Sequence, residues 1–138
     1  MKTVLKKRHY CEFCKKAGGS AYRMRTHEER CTLNPERKCG VCAMLEEEQP
    51  TMAALLEPFA GIKAVEDEYG NLCFDEAALD AGLAQARKVS NNCPACIMAA
   101  IRQSGIPVPA VSGFSFTEEM RSSWADFNLA RQAECGCG

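Results

Sequence analysis

Cys11-Glu12-Phe13-Cys14, followed by His27 and then Cys31, spells C-x2-C-x12-H-x3-C near the start of the chain. A two-residue gap lets one tight turn present two thiolates to a single point. A three-residue gap sets His27 and Cys31 one helical turn apart on one face. Four such donors suit the tetrahedral shell of zinc, so one ion is expected to fold this segment. So short a segment buries too little apolar surface to hold itself together, and the metal is expected to supply folding energy.

Within it, Gly18-Gly19-Ser20 reads as a turn and a helix N-cap, and the stretch from Ala21 to Arg30 has no Gly or Pro. The helix therefore runs into its own ligands and stops at Asn34-Pro35. The pattern resembles the two-Cys, two-His zinc finger with its last histidine replaced by cysteine, the CCHC variant. That resemblance implies a ββα fold and makes nucleic acid the first partner to consider. Aligned on His27, Met24 falls on the family's apolar core position and Gly18 on its aromatic one, so Phe13 or Tyr22 is expected to fill the gap. The same alignment puts Ser20, Tyr22, Arg23 and Thr26 on groove-facing positions, where only Arg23 has a fork suited to guanine. One finger spans about three base pairs, and the pattern occurs once. The expectation is low-specificity, salt-dependent contact through Lys6, Lys7, Arg8, Lys15, Lys16, Arg23, Arg25 and Arg30. The competing reading is a finger that only folds its own segment or docks a protein.

Charge divides along the chain. Residues 1–38 hold eleven Lys/Arg against four acids, a net of +7, whereas residues 39–138 hold six against fourteen, a net of −8. A basic unit on an acidic body is the footprint of a phosphate-contacting module attached to something else. The basic start MKTVLKKRH lacks the apolar stretch of a signal peptide and no long apolar run follows, so a cytoplasmic protein with no membrane partner is expected.

Ten cysteines would suggest disulfides in a secreted chain. Here four of them form two more C-x2-C pairs, Cys39/Cys42 and Cys93/Cys96, which read as metal ligands in a reducing compartment. Both pairs precede expected helices, so together they are expected to make a four-cysteine zinc site that staples two helix N-termini. A crossed arrangement is the alternative: Cys11/Cys14 with Cys39/Cys42, leaving His27 and Cys31 to join Cys93 and Cys96. Two enzymatic readings compete less well. A thioredoxin-like use of Cys93-Pro94-Ala95-Cys96 needs flanking βαβ strands, which the sequence does not supply. A zinc-deaminase reading of His27-x-Glu29 with Cys93/Cys96 finds Asn92 where proline belongs.

The remaining segments read mostly as helices. A short one is expected from Ala43 to Glu48 and another from Met52 to Glu57, capped by Thr51. Residues 66–71 form an exposed turn. A longer helix from Glu76 to Ser90, capped by Asp75, carries an inward stripe of Ala78, Leu79, Gly82, Leu83, Ala86 and Val89. The next opens at Cys93-Pro94 and closes near Gly105. Ile106-Pro107-Val108-Pro109 is expected to be extended, with Phe114-Ser115-Phe116 the one strand-like candidate. A last helix runs from Thr117 to Ala133 with Met120, Trp124 and Phe127 on one face, Trp124 being expected as a core anchor or, if exposed, part of a docking face. Cys73 is expected as a buried thiol, and Cys135 and Cys137 as a flexible tail.

The runs HYCEFCKK, MRTHEERCTLNP, CGVC and NNCPACIMAAIRQSGIPVP also resemble small zinc-finger proteins encoded by phage and prophage genomes. That resemblance implies a bacterial cytoplasm and binding to nucleic acid or a host protein. The expected protein is mainly α-helical and non-enzymatic, with two zinc ions: a basic ββα-like finger over residues 1–35 and an acidic helical body over residues 36–138. The alternative function is a protein-interaction adaptor or inhibitor working through the helical body.

Overall fold

In a computed structural model of the chain, which describes residues 1–134, about half of the chain is helical and the strands form two small antiparallel pairs. The tail carrying Cys135 and Cys137 lies outside the described residues. At the start, β1 (His9–Tyr10) pairs with β2 (Ala17–Gly18) in the register His9 to Gly18 and Tyr10 to Ala17. α1 (Ala21–Arg30) follows, its first turn closed by the Ser20 hydroxyl, which accepts from the Arg23 amide at 3.3 Å. Met24 packs between Cys11 and Cys31. Neither Phe13 nor Tyr22 fills the space beside Gly18, because both side chains face solvent. The Met24 side chain itself reaches to within 3.8 Å of where a Gly18 Cβ would stand, and Leu33, from beyond Cys31, completes this small core.

Five further helices form one core. They are α2 (Gly40–Met44), α3 (Met52–Leu56), α4 (Glu76–Ser90), α5 (Pro94–Gln103) and α6 (Phe116–Glu134), with a 3-10 turn at Glu57–Phe59 directly after α3. α5 is the hub. Its sequence PACIMAAIRQ is apolar nearly all round, so it can be solvated on no face and is surrounded by α2, α3, α4 and α6. Ile97 and Ile101 are fully buried, each contributing about 1.5 to 3 kcal/mol of apolar burial.

α4 reaches α5 through a tight turn at Asn91 and Asn92, both left-handed at φ 52° and 61°, a conformation asparagine tolerates better than most residues. Its stripe is largely as expected, with Leu79, Gly82, Leu83 and Ala86 buried and Ala78 half-buried. Val89, however, is exposed; Ser90 takes the last inward place and donates its hydroxyl to the Ala86 carbonyl at 2.7 Å. Gly82 is required by close approach, since a Cβ there would stand 3.0 Å from both the Phe59 ring and the Pro58 carbonyl oxygen.

Several expectations are corrected. The first short helix begins inside the cysteine knuckle and ends at Met44 instead of running from Ala43 to Glu48, because Cys39 is itself its N-cap and Glu46 turns left-handed at φ 55°. The segment after α5 is not extended throughout: Val108–Ala110 forms a 3-10 turn, which the fixed φ of proline tolerates. Phe114 to Phe116 is not a strand, since Phe114 plugs the core and Phe116 opens α6. Cys73 is exposed, on β4 (Leu72–Cys73), which pairs with β3 (Val65–Glu66) in an exterior hairpin around the expected turn. Trp124 is no core anchor. Only the first turns of α6 pack, through Phe116 and Met120, and Trp124 lies 47% exposed against Phe127 in an edge-to-face pair with centroids 5.8 Å apart. No helix among the described residues is long and apolar enough to cross a membrane.

Residues between α1 and α2 are held to the hub helix by side chains. Arg102 donates to the Thr32 hydroxyl at 2.6 Å, and Gln103 donates to the carbonyls of Thr32 and Asn34 at 2.9 and 3.0 Å. Asn34 in turn donates to the Glu28 carbonyl at 2.8 Å, and the Lys38 amide to that of Glu29 at 2.7 Å.

Candidate metal centres

The loop between β1 and β2 carries the first two cysteines. Its backbone folds around sulfur: the amides of Phe13 and Lys16 donate to Sγ of Cys11 and Cys14 at 3.4 and 3.5 Å. α1 supplies His27 in its last turn, and Cys31 caps its C-terminus. Nε2 of His27 lies 3.2 Å from Sγ of Cys14, and one donor atom from each of Cys11, Cys14, His27 and Cys31 lies within 4.8 Å of every other. Burial, with the Lys16 charge in second place, holds the His27 imidazole below its ordinary pKa. The ring is therefore neutral near pH 7, the form that ligates metal.

The second cluster lies inside the main core. Cys39 caps α2, its sulfur accepting from the Cys42 amide at 3.4 Å, and Cys93 stands at the N-cap of α5 ahead of Pro94. Cys39, Cys42, Cys93 and Cys96 are each 3% exposed or less. Sulfurs of Cys39 and Cys93 are 3.4 Å apart, those of Cys42 and Cys96 3.6 Å. A disulfide would need about 2.05 Å, whereas a tetrahedral ion with metal–sulfur bonds of about 2.3 Å needs sulfurs about 3.8 Å apart. The spacing thus fits four sulfurs facing one ion, and both donor sets are complete without water.

Protonation at this cluster is shared unequally. Hydrogen bonds from the thiols of Cys93 and Cys96 hold Cys39 far below the ordinary thiol pKa. Burial pushes Cys42 up to about 12, and hydrogen bonding to the Cys39 thiolate raises Cys93 and Cys96. Cysteine binds metal as thiolate, so each ion bound here is expected to release protons, and the apparent affinity should rise with pH and fall on acidification. Calorimetry in buffers of different ionisation enthalpy reads this directly; binding with no proton release would contradict it.

One residue at this centre was not singled out in the sequence. Arg37 is buried, and its Nη1 donates to Sγ of Cys96 at 3.6 Å. Gln49 is its neighbour, donating to the Arg37 carbonyl at 2.7 Å while its Oε1 accepts from the Cys39 amide. The only available signal was a cation two positions before a C-x2-C pair, which elsewhere in a chain marks nothing.

The clusters follow the sequential pairing, not the crossed one. His27 and the Cys93/Cys96 pair lie in different clusters, so the deaminase constellation is not assembled. Of the residues proposed to touch nucleic acid, Lys6, Lys7, Arg8, Lys15, Lys16, Arg23, Arg25 and Arg30 are exposed on the N-terminal unit. Ser20 is engaged in capping α1, and Thr26 donates its hydroxyl to the Tyr22 carbonyl at 3.1 Å, so both are turned to their own helix. The Arg30 guanidinium lies over Gly40, within 3.6 Å of where a Cβ would stand. The chain matches no protein-family model, no curated protein and no solved structure.

Proposed function

We propose that this chain is a non-enzymatic zinc protein that contacts nucleic acid with low sequence specificity through its basic N-terminal unit, a CCHC zinc finger. The reading is carried by one observation: a complete four-donor cluster and a set of exposed cations share the same small unit. Donor sets of three thiols with an imidazole, and of four thiols, in tetrahedral spacing favour zinc. Four protein ligands leave no open position for water or substrate, which supports a structural role for both ions.

The way α1 uses its own polar groups favours low specificity. With the Ser20 and Thr26 hydroxyls occupied, Arg23 and Tyr22 are the outward groups on the groove-facing positions, too few to read a site alone. The flanking cations supply the sequence-independent part of the affinity. Under the resemblance to phage and prophage zinc-finger proteins, the setting is a bacterial cytoplasm. Titration of labelled DNA and RNA at low salt tests the reading, with binding expected for unrelated sequences and a modest loss on Arg23→Ala. Absence of binding at low salt would sink it.

A second reading rests on α6. Trp124 is 47% exposed against Phe127, which lines a groove of about 460 Å³ with Met44, Leu45, Ala130 and the charged Glu46, Asp126 and Arg131. Such a surface suits a protein partner. Trp124→Ser is expected to keep stability within about 1 kcal/mol of the parent while abolishing crosslinking to that partner in a bacterial lysate. A large loss of stability would instead make the stripe structural.

A further inference from the structure

We infer that Arg37 is the fixed counter-cation of the four-cysteine centre and that, through it, the ion bound there holds the segment from which the N-terminal unit hangs. The inference rests on the zinc reading above. Four thiolates around a divalent ion leave a net charge of about −2 inside a core from which water is excluded. Arg37, 4% exposed, is the charged side chain that meets those sulfurs, with Nη1 at 3.6 Å from Sγ of Cys96. Its Nε is buried and has no hydrogen-bond partner among the described residues.

A buried guanidinium beside the metal-free cysteines faces little negative charge; beside an anionic metal–thiolate cluster, it is fully paired. The burial of Arg37 is thus explained by the cluster's negative charge, and in turn it offsets that charge and strengthens metal retention. The backbone of Arg37 extends the coupling. Its amide donates to the Asn34 carbonyl at 3.2 Å and its carbonyl accepts from Gln49 at 2.7 Å. Asn34 is also bound to the end of α1 and to Gln103 of α5. Metal loss at the second centre removes most of the negative charge opposite Arg37 and loosens this bridge.

The test compares wild type, Arg37→Met and Arg37→Lys in the full chain, loaded with cobalt, whose ligand-field spectrum separates a four-sulfur shell from a three-sulfur, one-nitrogen shell. Arg37→Met, which keeps bulk but not charge, is expected to release the four-sulfur ion to a chelator at least about tenfold faster, with the other ion unaffected; Arg37→Lys restores most of the difference. A four-sulfur ion held equally well by Arg37→Met overturns the inference. So does an Arg37→Lys variant as defective as Arg37→Met, including one that fails to fold, because shape and not charge would then be what matters. A wild-type chain with no four-sulfur cobalt band would instead remove the metal reading itself.

Discussion

Cys93→Ser is expected to reduce the protein from two bound ions to one and to unfold the helical body, while the N-terminal unit keeps its metal. Cys93 is buried at the N-cap of α5, the helix around which α2, α3, α4 and α6 assemble. A structural zinc site in small units is worth about 10 to 16 kcal/mol at neutral pH, more than most domains have to spare at about 5 to 15 kcal/mol. Serine is a poor ligand for a soft site and leaves three cysteines and the Arg37 cation in the core without the anionic metal–thiolate cluster that pairs with that cation. The cooperative thermal transition of the body should therefore disappear, together with most of the helical circular dichroism that α3 to α6 supply. Retention of the first ion separates the sequential pairing from the crossed one, in which Cys93 would share its ion with His27 and Cys31. A variant that still unfolds cooperatively at the parental temperature would remove metal from the account of this core.

Affinity for nucleic acid is expected to fall about a thousandfold or more between about 50 and 200 mM salt, the response of a surface that neutralises six or more phosphates. Eight exposed cations are on hand in Lys6, Lys7, Arg8, Lys15, Lys16, Arg23, Arg25 and Arg30, though Arg30, lying over Gly40, is the poorest placed. Neutralising Lys6, Lys7 and Arg8 together should flatten the slope of log affinity against log salt by about 2 to 3, whatever the sequence of the probe. Arg23→Ala should cost less, and mainly on guanine-containing duplexes. The two effects distinguish backbone contact from base reading. A slope left unchanged by the triple neutralisation would mean that these residues are merely solvated.

The parts of this structure that were legible from sequence are those with a local cause. The Ser20 cap, the absence of breakers up to Arg30, the Asp75 cap and Pro94 at the start of α5 each fix an element from residues close to it, and those helices lie where the sequence puts them. The two Cys/His clusters that could hold metal were legible because ligand spacing is itself a local constraint, and the sequential grouping crosses the chain least. What escaped the sequence depends on partners far along the chain. Cys73 looked apolar between Leu72 and Phe74, yet its two-residue strand hangs outside the core, where nothing covers it. Trp124 has helical spacing with Met120, but α6 outlasts the core it packs on. Leu33 joins the small core of Cys11, Met24 and Cys31 from beyond the end of α1, which no local pattern announces. Arg37 acquires its meaning from Cys96, fifty-nine residues away.

Two complete metal sites are the central claim, and metal content is its most direct test. Elemental analysis of the full chain, purified under reducing conditions without added metal, is predicted to find two equivalents of zinc per chain, with Cys93 and Cys96 protected from alkylation until a chelator is added. One equivalent or none, or a disulfide between Cys93 and Cys96 in the purified protein, would contradict it.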